Sequence, residues 1–68
     1  MAKITLKAAR VNAGLTQKEA AKKLKVSNKT LWAWECGKTM PNVNKIDDIC
    51  ELYGRSYDDI IFLPINSL

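Results

Sequence analysis

The sequence predicts a single all-α domain of five short helices, compact and spanning residues 1–68. Apolar residues recur at three- and four-residue intervals, and no alternating strand pattern of useful length appears. Side chains that can cap a helix precede these stretches, and glycine follows three of them. A chain of this length forms one domain at most and buries only about 60% of its unfolded surface. Short connections between the helices are therefore expected.

The first two helices are defined by residues that begin and end them. The first is expected from about Thr5 to Asn12, and Gly14 ends it. The second begins after Thr16, where Glu19 three residues later completes a capping box. Its apolar stripe consists of Ala20, Ala21 and Leu24.

A tight turn at Lys25 and Val26 leads into the third helix. We expect Val26 to point inward, Ser27 to cap the helix and Gly37 to end it. The inward residues of this helix, taken at helical spacing, are Thr30, Leu31 and Trp34.

The last two predicted helices follow a break at Pro41. Asn42 caps the fourth helix and Gly54 closes it. The apolar positions of the fourth helix, spaced three and four apart, are Val43, Ile46, Ile49, Cys50 and Tyr53. Ser56 caps a short fifth helix from Tyr57 to about Phe62, and Pro64 ends it.

Charge is distributed unevenly along the chain, whose formal net charge is +4. Residues 1–38 carry nine basic and two acidic side chains, whereas residues 39–68 carry two basic and five acidic ones. The second and third helices belong to the positive half. That part of the molecule is expected to face a polyanion.

The composition argues against metal, cofactor and catalytic functions. There is no histidine, and Cys36 and Cys50 alone cannot form a closed zinc site. The clustered aspartates fit helix starts and solvated faces better than a metal site. The chain lacks a Gly-rich phosphate loop and a nucleophile–base spacing, so the sequence predicts neither a cofactor nor an enzyme.

No stretch approaches the roughly 20 apolar residues of a membrane span, and the first residues lack the apolar run of a signal peptide. We therefore expect a cytoplasmic protein with no membrane partner and no small-molecule ligand. Both cysteines are expected to be thiols in a reducing compartment. Met1 is consistent with a native start, either of a complete small regulator or of the N-terminal domain of a longer one.

The second and third helices meet the requirements of a helix-turn-helix, predicted over residues 16–36. Ala20 and Ala21 are small enough for the helices to cross closely, and Ser27 caps the entry to the third helix. The polar and aromatic residues that core packing leaves free are Asn28, Lys29, Trp32 and Ala33.

Residues 15–41, LTQKEAAKKLKVSNKTLWAWECGKTMP, resemble the helix-turn-helix of phage Cro and lambda-type repressors. Shared features are the Leu-Thr-Gln opening, the Ala-rich helix, the Val-Ser turn, Glu-x-Gly-Lys and a nearby proline. The likeness covers about residues 4–63. It implies a lambda-repressor-like fold that binds double-stranded DNA with its third helix in the major groove.

The resemblance implies roles for individual residues. The base-facing positions are Ser27, Asn28, Lys29, Trp32 and Ala33. Gln17 and Lys38 match phosphate-contact positions of the family. Lys18 and Lys22 are further expected phosphate contacts on the ground of their charge, although Lys22 could simply lie on a solvent-exposed face. Asn28 can pair with adenine and Lys29 with guanine. Arg10 and Glu35 match an internal salt bridge between the first and third helices, although Arg10 could instead contact phosphate.

Two residues depart from the family pattern. Lys25 stands where the turn usually has glycine, so either lysine adopts positive φ at some cost or the turn differs. Trp32 stands where a small or polar residue is more usual. It could stack on sugars, touch thymine methyl groups or pack sideways onto the domain.

A domain this small is expected to bind DNA as a homodimer, on near-palindromic half-sites about 34 Å apart. The apolar C-terminal residues could form its two-fold interface or merely close the core; they are Ile60, Ile61, Phe62, Leu63, Ile65 and Leu68. The sequence thus predicts a transcriptional regulator, and specifically a repressor that occupies an operator. An antitoxin that also binds a toxin and a protein-interaction module without DNA binding are the alternatives.

Overall fold

The computed structural model describes residues 3–62, and these residues form a mostly helical fold. The helices are α1 (Leu6–Asn12), α2 (Gln17–Leu24), α3 (Asn28–Cys36) and α4 (Val43–Tyr53). Two short strands, β1 (Ile4–Thr5) and β2 (Ile60–Ile61), pair in parallel. The first four predicted helices are present. None of the described helices is both long and apolar enough to cross a membrane.

The fifth helix, predicted from Tyr57 to about Phe62, is not confirmed. A single 3-10 turn occupies Tyr57–Asp59, and Ile60 is extended with φ −114° and ψ 133°. Two consecutive β-branched residues favour extended backbone, and so short a segment gains little from helix formation. Pairing with β1 also buries Ile60, which is 4% exposed. The class is therefore mainly rather than purely α, and Pro64 lies outside the described residues.

Each α-helix begins at a capping side chain. The N-caps are Thr5, Thr16, Ser27 and Asn42, and each accepts a hydrogen bond from the backbone N–H three residues later. The predicted capping box of α2 is confirmed, since Thr16 N–H also donates to Glu19 Oε1 over 2.9 Å. That backbone hydrogen bond is the main reason that the pKa of the Glu19 carboxyl lies below its usual value.

One apolar core joins all four helices and β2. Its buried members are Leu6, Ala9, Ala20, Ala21, Leu24, Leu31, Trp34, Ile49, Tyr53 and Ile60. Val26 is partly buried against this cluster, as predicted. The prediction that Val43 points inward is wrong, because its exposed fraction is 72%. Val43 is the first residue of α4, and burial along this helix is complete only further on, at Ile49 and Tyr53.

The turn between α2 and α3 places Lys25 in the left-handed region, with φ 61° and ψ 41°. Among the described residues it is the one non-glycine residue with positive φ. The N–H groups of Lys25 and Val26 donate to Lys22 and Ala21 carbonyls, which satisfies the end of α2. Lysine therefore keeps the turn geometry for which glycine is normally used, at a steric cost of about 1 kcal/mol.

A second contact at the same end of α2 was not predicted from the sequence. The Lys45 ammonium, on α4, donates to the Leu24 carbonyl oxygen over 2.7 Å. A cation at a helix C-terminus satisfies a free carbonyl and complements the helix dipole. This contact fixes the C-terminal end of α2 against α4.

Replacing Lys25 with glycine should stabilise the domain. Glycine removes the left-handed strain, although it gains entropy in the unfolded chain, so the free energy of unfolding should rise by about 0.5–1 kcal/mol. Urea denaturation followed by circular dichroism measures this change. The control Lys22→Gly, inside α2, should instead lower it by about 1 kcal/mol. Equal destabilisation by both variants would show that Lys25 is not strained.

Candidate nucleic-acid interface

The third helix has two clearly different faces. Leu31 and Trp34 are 0% and 7% exposed and pack into the core, which confirms their predicted inward positions. The predicted base-facing side chains lie on the other side: Ser27, Asn28, Lys29 and Trp32 are exposed and Ala33 is half-buried. Packing against the core thus leaves one face of α3 free for a ligand.

A buried ion pair holds α3 against α1. Arg10 Nε donates to Glu35 Oε2 over 2.7 Å, and the two side chains are 9% and 4% exposed. Arg10 also donates to the Leu15 carbonyl oxygen over 2.9 Å. The salt bridge implied by the family resemblance is therefore present, and Arg10 is occupied inside the protein. The alternative phosphate role for Arg10 does not fit its burial.

Gln17, the first residue of α2, extends this ion pair to the free face of α3. Its Nε2 donates to Glu35 Oε1 over 3.0 Å, and its Oε1 accepts a hydrogen bond from Asn28 Nδ2 over 2.9 Å. We call Arg10, Glu35, Gln17 and Asn28 the bridging network. A carboxylate only accepts hydrogen bonds, so Glu35 fixes the orientation of the Gln17 amide and hence that of Asn28.

The link from Gln17 to Asn28 and Glu35 was not predicted from the sequence. A usable signal was present, because Asn28 and Glu35 are seven residues apart and share one stripe of a helix. Both side chains must then face the same neighbouring element. What the sequence does not give is which residue of α2 lies opposite that stripe.

Ser27 makes its hydrogen bonds locally. Its hydroxyl accepts from Thr30 N–H over 3.0 Å and donates to Thr30 Oγ1 over 2.8 Å. The hydroxyl oxygen thus caps α3, and its proton is already donated to the Thr30 hydroxyl. Any contact from Ser27 to a ligand has to use its remaining acceptor capacity.

The buried Tyr53 ring belongs to the core but is coupled electrostatically to the same ion pair. Burial first, and then the Glu35 charge, raise the pKa of the Tyr53 phenol against the opposing Arg10 charge, to about 12. Within residues 3–62 its hydroxyl has no hydrogen-bond partner. The phenol therefore stays neutral and contributes packing rather than charge.

A surface cavity of about 420 Å³ opens beside the bridging network. It lies between α1, the start of α2 and α3, and is lined by Lys7, Arg10, Thr16, Gln17, Trp32, Glu35 and Cys36. Trp32 is 42% exposed, and the Lys38 ammonium lies 5.7 Å from the centroid of its ring. The cavity thus combines cationic groups, the first turn of a helix and an aromatic wall.

Of the four predicted phosphate contacts, Gln17 lines this cavity and Lys38 lies against its Trp32 wall. Gln17 is half-buried within the bridging network, whereas Lys18, Lys22 and Lys38 are exposed. Lys18 and Lys22 are four residues apart and share one side of α2. Within residues 3–62 neither makes a side-chain hydrogen bond or salt bridge, and neither lines the cavity.

Breaking the buried ion pair should strongly destabilise the domain. In Glu35→Leu the Arg10 charge stays buried without its partner, and the free energy of unfolding should fall by about 3 kcal/mol. The double variant Arg10→Met/Glu35→Leu removes both charges and should regain most of the lost free energy of unfolding. Urea denaturation tests both variants, with the exposed Glu51→Leu as the control. A loss below about 1 kcal/mol in Glu35→Leu would contradict a structural role for the pair.

One comparison with known proteins identifies the family of the chain. A helix-turn-helix family model matches residues 6–60, which include all four α-helices and every candidate contact residue. Neither the search of curated proteins nor that of solved structures gave a match. The chain belongs to the Cro/lambda-repressor-like helix-turn-helix family, a family of sequence-specific DNA-binding transcription regulators.

Proposed function

We propose that the protein is a repressor that binds a near-palindromic operator as a homodimer, with α3 of each copy in the major groove. The observation that carries this proposal is the free face of α3, whose first residue Asn28 is held in place by Gln17. Occupation of the operator would block access of RNA polymerase. No catalytic step is part of this function.

Asn28 is the best candidate for direct base readout. One of its amide hydrogens is used by Gln17 over 2.9 Å, which leaves one N–H donor and the Oδ1 acceptor. Adenine presents the complementary pair in the major groove, the N7 acceptor and the N6 donor. Because Gln17 already fixes the amide, less side-chain entropy is lost on binding. We therefore assign Asn28 to adenine.

Other residues of the free face complete the proposed reading surface. Lys29 is exposed and can donate to guanine O6 and N7. Ala33, one turn further on, is small enough to admit a thymine methyl group. Ser27 would act only as an acceptor, since its proton is bonded to Thr30.

Phosphate contacts would supply most of the affinity and no sequence preference. Gln17 and Lys18 are the first two residues of α2, where free backbone N–H groups and the helix dipole attract an anion. Lys22, further along α2, and Lys38, after α3, would add positive charge for further phosphate contacts. The excess of seven positive charges in residues 1–38 supports this orientation.

The proposed two-fold interface lies near β2. Ile60 is 4% exposed and closes the core of the monomer, so it is not available to a partner. Tyr57 and Ile61 are 56% and 37% exposed, and the Tyr57 ring stacks on Phe62 with centroids 5.5 Å apart. These apolar side chains favour a second copy as the partner. Leu63, Ile65 and Leu68 lie outside the described residues.

Selection of bound duplexes from a random DNA pool tests the function. The full chain should enrich two half-sites about one helical turn apart. Asn28→Ala should lose the preference for adenine at one position, and Lys29→Ala that for guanine at another, each with about 1–3 kcal/mol less discrimination. The control Lys23→Ala, on the exposed side of α2, should select the wild-type sequence.

Each outcome bears on a different part of the proposal. If the wild-type protein enriches no sequence, the DNA-binding function is wrong. An unchanged consensus in both Asn28→Ala and Lys29→Ala would refute the assigned readers. Enrichment of isolated single half-sites would refute the homodimer, and higher transcription from a promoter that carries the selected site would refute repression.

A further inference from the structure

We infer that Trp32 contacts the sugar–phosphate backbone of DNA and not the base edges, acting together with Lys38. The inference rests on the proposed function, since it requires duplex DNA against α3. The family resemblance had placed Trp32 among the base-facing residues. The surroundings of its ring favour the other role, that of one wall of the cavity at the start of α2.

The position of the Trp32 ring favours a contact with the DNA backbone. Trp32 borders the same cavity as Lys7, Thr16 and Gln17, and these three belong to α1 and to the beginning of α2. Asn28, one turn before Trp32, also faces Gln17 through a 2.9 Å hydrogen bond. Lys29 and Ala33 lie further round the helix, on the side away from this stripe. Trp32 is therefore turned toward the start of α2, where a backbone contact is expected.

The chemistry of the cavity also favours a sugar and a phosphate over a base edge. The Lys7 ammonium and the free N–H groups at the first turn of α2 suit phosphate oxygens. The face of an indole ring suits the apolar surface of a deoxyribose. A base edge in the major groove demands defined donors and acceptors, and an indole offers one donor only. The cavity as a whole thus matches a nucleotide's sugar and phosphate.

Glu35 is the one acidic group in this cavity, and it does not oppose the inference. Its side chain is 4% exposed, and Arg10 Nε lies 2.7 Å from its carboxylate. Gln17 also donates to it over 3.0 Å. The negative charge is therefore compensated inside the protein rather than directed at an approaching phosphate.

The contact between Trp32 and Lys38 links the ring to a predicted phosphate contact. The Lys38 ammonium lies 5.7 Å from the ring centroid, a distance typical of a cation–π interaction. Lys38 directly follows Gly37, the C-cap of α3, and its side chain is exposed. The ring thus holds a predicted phosphate-binding cation beside the cavity. Loss of the Trp32 ring should therefore also weaken the contribution of Lys38 to DNA affinity.

The test compares Trp32→Ala, Trp32→Phe and Asn28→Ala on three duplexes. These are the selected site, the same site with thymines replaced by uracils, and an unrelated sequence. Trp32→Ala should bind all three about tenfold more weakly than the wild type, with an unchanged selected consensus. Trp32→Phe keeps an aromatic face, so it should lose less DNA affinity than Trp32→Ala. Asn28→Ala should weaken binding to the selected site and to its uracil form, because both keep the adenine, and should leave binding to the unrelated sequence unchanged.

A double-mutant cycle of Trp32→Ala and Lys38→Ala tests the coupling between the ring and the ammonium. The Trp32→Ala/Lys38→Ala double variant should lose less affinity than the product of the two single losses. Melting temperatures of the variants confirm that each one is folded, as the exposure of both side chains predicts. Multiplicative losses would refute the coupling between the ring and the ammonium.

Failure of this inference and failure of the proposed function give different results. If the wild type binds none of the duplexes, both are wrong. If the wild type binds but Trp32→Ala changes the consensus, Trp32 reads bases. A uracil penalty present in the wild type and absent in Trp32→Ala would assign the ring to a thymine methyl group. Unchanged affinity of Trp32→Ala on every duplex would show that the ring does not touch DNA.

Discussion

The buried ion pair between Arg10 and Glu35 is the interaction on which the candidate interface depends. It joins helices whose residues are 25 positions apart in the chain, and both charges are nearly removed from solvent. Such a pair adds little net stability compared with apolar packing, but loss of one partner is costly. Its value here is geometric, because Glu35 orients Gln17 and Gln17 orients Asn28. A structural contact in the interior thereby sets the position of an exposed side chain.

The third helix has a buried face that supports it and an exposed face that we propose for recognition. Leu31 and Trp34 anchor α3 in the core, while the turn at Lys25 and the Lys45–Leu24 hydrogen bond fix the preceding helix. The core can therefore hold α3 without using its outer face. Positive charge is concentrated in the same half of the chain, and the acidic side chains of α4 lie in the other. The domain thus combines oriented polar groups on α3 with positive charge in the same half of the chain, as the proposed contact with a polyanion requires.

Local patterns predicted most of this fold, and long-range contacts account for what they missed. The caps at Thr16, Ser27 and Asn42 and the glycines after α3 and α4 depend on neighbouring residues, so the sequence alone identifies them. The strand at Ile60 exists because Ile4, near the opposite end of the chain, pairs with it. The family resemblance supplied the Arg10–Glu35 pair. The contacts of Gln17 and Trp32 require the relative placement of three helices, which no local pattern gives.

The free face of α3, oriented by Gln17, is the surface that we propose for contact with duplex DNA. The most direct measurement is an NMR titration of the isotope-labelled full chain with the selected duplex, following backbone amides and the Gln17 and Asn28 side-chain amides. If α3 meets DNA in this way, we expect large shifts at Gln17, Asn28–Ala33 and Lys38, with little change at residues 47–51 of α4. Shifts concentrated on residues 47–51, with α3 and the two side-chain amides unaffected, would contradict it.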